Sequence, residues 1–104
     1  MVSAVSRDIP EADWKTFRQL RAVALERFCE RVLADIRSAS SVAGHSAHER
    51  YLKVFEILRD KDKELASLFD NPRRSTAKVQ LSMIVSAGLL TDEELLRFSP
   101  ETRK

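Results

Sequence analysis

Apolar residues recur three and four positions apart along most of this chain, the spacing that lines one face of an α-helix. Two such stripes follow one another in the first forty residues. Trp14, Phe17, Leu20 and Ala24 share one face, and Leu25, Phe28, Cys29, Val32 and Ile36 share another. On a helical wheel the second is rotated by roughly a quarter turn from the first. A straight helix does not aim both at a single core, so the pattern predicts two helices, about 9–20 and 23–38, with a break near Arg21-Ala22-Val23. Asp8, Pro10 and Glu11 supply the opening signal for the first.

After a small-residue linker over Ser38–Gly44, Ser46 and Glu49 form a capping box that opens a helix over about 47–69. Its apolar face is Tyr51, Val54, Phe55, Leu58, Leu65 and Phe69. Asp70-Asn71-Pro72 closes it, and Pro72, whose fixed φ suits a first helical position, opens a helix over about 72–87. The apolar arc there (Ala77, Val79, Leu81, Met83, Ile84, Ala87) is wide, which predicts a central helix of the bundle or a subunit contact.

The sharpest boundary is Gly88-Leu89-Leu90-Thr91-Asp92-Glu93-Glu94-Leu95. Gly88 can take the left-handed conformation that closes a helix, with Leu89 as the apolar contact back onto the last turn. Thr91 and Glu94 form a second capping box, and Leu90 with Leu95 a hydrophobic staple, so a short helix over about 92–98 follows. The expected fold is all-α, a four- to five-helix, mostly antiparallel bundle over 8–98. Residues 1–7 are expected to be a flexible N-terminal tail and 99–104 a C-terminal tail.

Composition agrees with a single soluble helical domain: among 104 residues there are only two glycines and three prolines, with 43% hydrophobic and 33% charged side chains. No apolar run approaches the roughly 20 residues of a membrane span, and Met1–Arg7 lacks the features of an export signal. The single cysteine, Cys29, fits a reducing compartment, and a cytoplasmic location is expected. The net charge of +2 is spread without the basic stripe that marks a dedicated nucleic-acid binder.

Few residues carry candidate chemistry. His45 and His48, with Glu49 and the distant Cys29, lack the ligand pattern of a metal site, and no metal or cofactor is expected. Cys29 lies in an apolar stripe and is expected to pack rather than react. Arg73, Arg74, Ser75, Thr76 and Lys78 cluster at the predicted start of helix 72–87. Arginines there oppose the macrodipole and invite an anion or a partner. Arg21, Asp62 and Gln80 stand on apolar faces, where polar groups need partners. If helices 23–38 and 47–69 are antiparallel neighbours, Asp62 falls near the predicted break, which predicts a structural pair between Asp62 and Arg21 or, failing that, Arg18.

The Gly88–Leu95 turn is similar to the short helix–Gly–Leu–Thr–Glu–Glu–helix units that end many bacterial proteins, such as the SHOCT segment, which are linked to oligomerisation. Phe17-Arg18-Gln19-Leu20-Arg21, Ala24 through Leu33, His48-Glu49-Arg50-Tyr51, Arg73 through Ala77 and Ser99 through Arg103 also carry a wider resemblance. On these residues the chain resembles an uncharacterised group of short, all-helical bacterial proteins with no established activity. The expected function is a non-enzymatic protein–protein interaction module that self-associates as a homodimer, through helices 72–87 and 92–98, or binds another protein. The alternative is an accessory nucleic-acid or phosphate-ligand binder using Arg73, Arg74 and Lys78.

Overall fold

The computed structural model of the chain describes residues 8–103, and the tail expected over 1–7 lies outside them. Five α-helices are present among these residues: α1 (Glu11–Ser40), α2 (Ala47–Phe69), α3 (Ala77–Ser86), α4 (Asp92–Leu95) and α5 (Pro100–Arg103). A 3₁₀ turn over Arg74–Thr76 precedes α3. The chain is all-helical, with no strand among the described residues.

No break occurs near Arg21-Ala22-Val23. α1 is one helix of 30 residues, about 45 Å long at 1.5 Å per residue. Neither glycine nor proline interrupts it, and its two apolar stripes meet different neighbours instead of one core. Phe17, Leu20 and Ala24 are buried with Leu81, Ile84, Leu89 and Phe98. The second stripe instead runs along α2: Cys29, Val32 and Ile36 share a groove with Leu58 and Leu65. The rotation between the stripes therefore records a change of partner along a continuous rod.

α1 and α2 form an antiparallel hairpin whose register is held at both ends. Near the loop, Arg50 Nη1 donates to the carbonyl of Ser40 at 2.7 Å. Far from it, Arg21 donates to the carbonyl of Phe69 through Nε at 3.2 Å and Nη2 at 2.5 Å. The Ser46–Glu49 capping box forms as expected.

The predicted helix 72–87 starts late. Asn71 takes a left-handed φ of 50°, Arg73 is extended, and the α-helix proper begins only at Ala77. The cause is a long-range anchor: Arg74 Nε donates to the carbonyl of Ile9 at 2.8 Å, and its Nη1 meets Glu11 Oε1 at 3.0 Å. This ties the turn to the start of α1. Nor is this helix central, because Ala77, Gln80, Leu81 and Ile84 are buried while Val79 is 66% exposed. Its wide apolar arc is covered on one side only. α1 packs against both α2 and α3, and the packing is lopsided: α3, α4 and α5 lie at one end of the α1–α2 hairpin.

The C-terminal end of α3 follows the sequence closely. Gly88 has φ 71°, its N–H bonds to the carbonyl of Val85 at 2.9 Å, and that of Leu89 bonds to Ile84 at 3.3 Å. This is the paired closure of a Schellman motif. Arg31 adds donors to the carbonyls of Ala87 and Gly88. The Thr91–Glu94 capping box forms, although α4 itself is four residues long. Residues 99–103, expected as a tail, are instead docked: α5 is held on α1, with Thr102 4% exposed.

Candidate interaction surface

The core lies in the part of the molecule that can be called the head. Its members from the hairpin are Phe17, Leu20, Ala24 and Phe28 of α1 and Leu68 and Phe69 of α2, with Ile9 and the α3–α5 segment supplying the rest. Between Phe28 and Leu68, going out to the loop and back, only Ala39 is a buried hydrophobic residue. This outer hairpin has two helices and no third layer, and the whole molecule is 18 Å in its thinnest dimension, about two helix diameters.

Its apolar side chains are correspondingly uncovered. Leu33 is 52% exposed, Tyr51 65%, Phe55 54% and Leu58 48%. Cys29, Ile36 and Leu65 are half-buried beside them. On the helical period, Leu25, Cys29, Leu33 and Ile36 of α1 and Tyr51, Phe55, Leu58 and Leu65 of α2 lie on one side of the hairpin. Their centre is an open, mainly apolar groove of about 240 Å³ lined by Cys29, Val32, Ile36, Leu58 and Leu65, with the charged residues Lys61 and Asp62 also on its lining. No described residue from α3, α4 or α5 lines it. A contiguous apolar face of this kind on a small chain marks an interaction site.

The predicted basic site is not brought together. Arg74 is committed to Ile9 and Glu11. Lys78 Nζ donates to the carbonyl of Glu101 at 3.2 Å, and Thr76 Oγ1 to that of Arg73. Ser75 is exposed. Arg73 is exposed at the rim of a shallow depression with Asn71, Gln80 and Met83. Because α3 begins at Ala77, the two arginines precede its first turn rather than oppose its dipole.

The Arg21–Asp62 pair is not formed either. α1 runs on to Ser40 and sets a register in which Arg21 lies level with Phe69, not Asp62. Arg21 closes the C-terminus of α2 and sits over the Phe69 ring, 5.8 Å from its centroid, where a cation suits the helix dipole. Asp62 is exposed. Gln80 is buried, and its Nε2 donates to the carbonyl of Asp70 at 3.1 Å. His45 and His48 are exposed near the hairpin loop.

Two polar clusters escaped the sequence reading, and both assemble the head. Arg27 grips Glu94 with both terminal nitrogens, at 2.6 and 2.9 Å, and donates to the carbonyl of Leu89. The hydrogen bond from Arg27, reinforced by the Thr91 amide, holds the Glu94 carboxyl down at about 2. Asp13 is 4% exposed and accepts from Ser99 N, Ser99 Oγ and Thr102 Oγ1. Burial pushes its carboxyl up, but these hydrogen bonds outweigh burial and hold it below the ordinary value. The available signal was Ser99-Pro100, a capping residue before proline at a first helical position.

No protein-family model, no curated protein and no solved structure matches the chain. No helix among the described residues is long and apolar enough to cross a membrane.

Proposed function

We propose that this protein is a non-enzymatic interaction module of the cytoplasm that self-associates through the apolar face of the α1–α2 hairpin. The observation that carries this reading is the continuous row of uncovered apolar side chains in the outer hairpin, where Leu33, Tyr51, Phe55 and Leu58 each stand about half or more exposed. A helix buries its apolar stripe against another layer, and stable domains are built from such layers. Here the second layer is missing over the outer hairpin. A second copy supplies two helices of matching length, and a pair of two-helix layers closes into a four-helix bundle.

The area supports the same occupant. From Ala22 to Ser40 the face runs about 27 Å, by about 20 Å across two helices, or roughly 500 Å² in projection on each copy. Two such faces together reach the roughly 1,000 Å² that a biological interface should clear. The helices that the sequence favoured for this role offer less: Val79, Met83 and Leu96 are their large exposed apolar residues.

Sedimentation velocity on the full chain over a micromolar concentration series tests the reading. The expected result is a species of twice the 11.9 kDa chain mass, converted to monomer by Phe55→Glu, whose charge cannot be desolvated cheaply. A single 11.9 kDa species at all concentrations overturns it.

A further inference from the structure

Glu26 and Glu30 border the apolar face on α1, and Arg59 and Lys63 border it on α2. We infer that two copies associate about a two-fold axis parallel to the helices, with both loops at one end, so that α1 of each lies along α2 of the other. This rests on the self-association reading above and adds its geometry. The register within one chain fixes the levels: Arg21 bonds to Phe69 and Arg50 to Ser40, so α1 and α2 residues can be matched turn by turn between those anchors. By that ladder, with its rise of about 1.5 Å per residue, Glu26 is level with Glu64 and one residue from Lys63, Glu30 is level with Asp60 and one residue from Arg59, and Leu33 is level with Ile57 and two residues from Phe55. Of these α2 residues, Arg59 and Lys63 lie on the outer edge on the helical period, and Asp60 and Glu64 do not.

Within a single chain Glu26 and Glu30 do not meet Lys63 and Arg59. The acidic ones lie on the outer edge of α1 and the basic ones on the outer edge of α2, each turned away from the α1–α2 contact on the helical period. A two-fold axis along the helices places the outer edge of α1 against the outer edge of the partner's α2 at the same level. Acid then meets base twice, Glu26 with the partner's Lys63 and Glu30 with the partner's Arg59. Nearer the loops, apolar Leu33 meets the partner's Phe55. Symmetry repeats each contact, giving four ion pairs around a centre that is apolar apart from Lys61 and Asp62. In the opposite orientation, with the axis across the helices, α1 faces α1 and α2 faces α2. The basic pair Arg59 and Lys63 then borders α2 of the other copy, away from Glu26 and Glu30.

These four groups lie at the surface, and Glu30 also acts electrostatically on Arg27 of its own chain. Glu26, Glu30 and Lys63 are exposed, and Arg59, also exposed, makes only a 3.3 Å contact with its sequence neighbour Asp60. Flanking charges of this sort set orientation and partner choice more than raw affinity, as they do at the edges of coiled-coil seams.

Charge reversal tests the orientation in the full chain. Glu30→Arg alone and Arg59→Glu alone should each weaken dimerisation about tenfold at low salt, since each converts two attractions into two repulsions. The double variant Glu30→Arg/Arg59→Glu should restore the wild-type dissociation constant to within about twofold, because the pair is rebuilt with its signs exchanged. Helicity by circular dichroism confirms that each variant is folded. A wild-type dimer whose single reversals leave the dissociation constant unchanged, or whose double variant is no better than the singles, overturns the orientation while leaving self-association standing. A wild-type chain that is monomeric throughout overturns both.

Discussion

Asp13 shows how much one side chain can organise at a distance. It stands in the first turn of α1, yet its three donors come from Ser99 and Thr102, 86 and 89 residues away. Removing the carboxylate leaves the part-buried Ser99 amide and the Thr102 hydroxyl without an acceptor, and the Ser99 hydroxyl with only Thr102 Oγ1 at 3.3 Å, so Asp13→Ala should destabilise the chain by about 2–3 kcal/mol. Urea denaturation is the measurement, and loss of protection over 98–103 is the expected local signature. Glu94 makes a different, titratable contribution. Its carboxyl is held at about 2 in the folded chain, against an ordinary value of 4.5. Its stabilisation is therefore complete above pH 4.5 and is lost as pH falls towards 2. The pair is partly exposed, with side chains at 37% and 20%, so about 1 kcal/mol is expected from it. Glu94→Gln should lower the melting temperature by about 4–8 °C at pH 7, with the gap to wild type narrowing as the acid limit is approached.

At the scale of elements, what could be read from the sequence was what is written locally. The Ser46–Glu49 and Thr91–Glu94 boxes and the Gly88 closure each occupy a few consecutive residues, and each forms as expected. The misreadings share a cause in long-range packing. Arg74 shortens α3 because it binds Ile9 and Glu11, and nothing near residue 74 announces that. The rotation between the stripes of α1 was visible, but its meaning depended on where α2 and α3 lie, which spacing alone does not give. The expected Arg21–Asp62 pair failed with the same assumption. Continuity of α1 can be tested directly. Val23→Pro would be tolerated at a break between helices but should cost about 3 kcal/mol or more inside a continuous one, read as a fall in melting temperature with loss of helicity. Gly88→Ala should cost about 1 kcal/mol by forcing a Cβ into a left-handed conformation, although the nearest neighbour, Arg31 Nη1, lies a comfortable 3.9 Å away.

The whole molecule is unevenly built, a consolidated head and a two-helix extension joined by one uninterrupted α1. That rod passes from an environment of buried aromatic packing at Phe17 and Phe28 to one where its only buried residue is Ala39. Backbone amides report such differences through their exchange with deuterium. Along α1 of the isolated chain, protection should be greatest from about Phe17 to Phe28 and decline towards Ser40, because opening the outer turns exposes little apolar surface that was not already exposed. The same gradient should run in reverse along α2, least near Ala47 and greatest near Phe69. Raising the protein concentration from well below to well above the association range should flatten both gradients while leaving the head nearly unchanged. In kinetic terms the outer hairpin would be the first part to open in a dilute chain and no longer the first in a paired one, so its lifetime against a protease would depend on how many copies of itself the protein finds nearby.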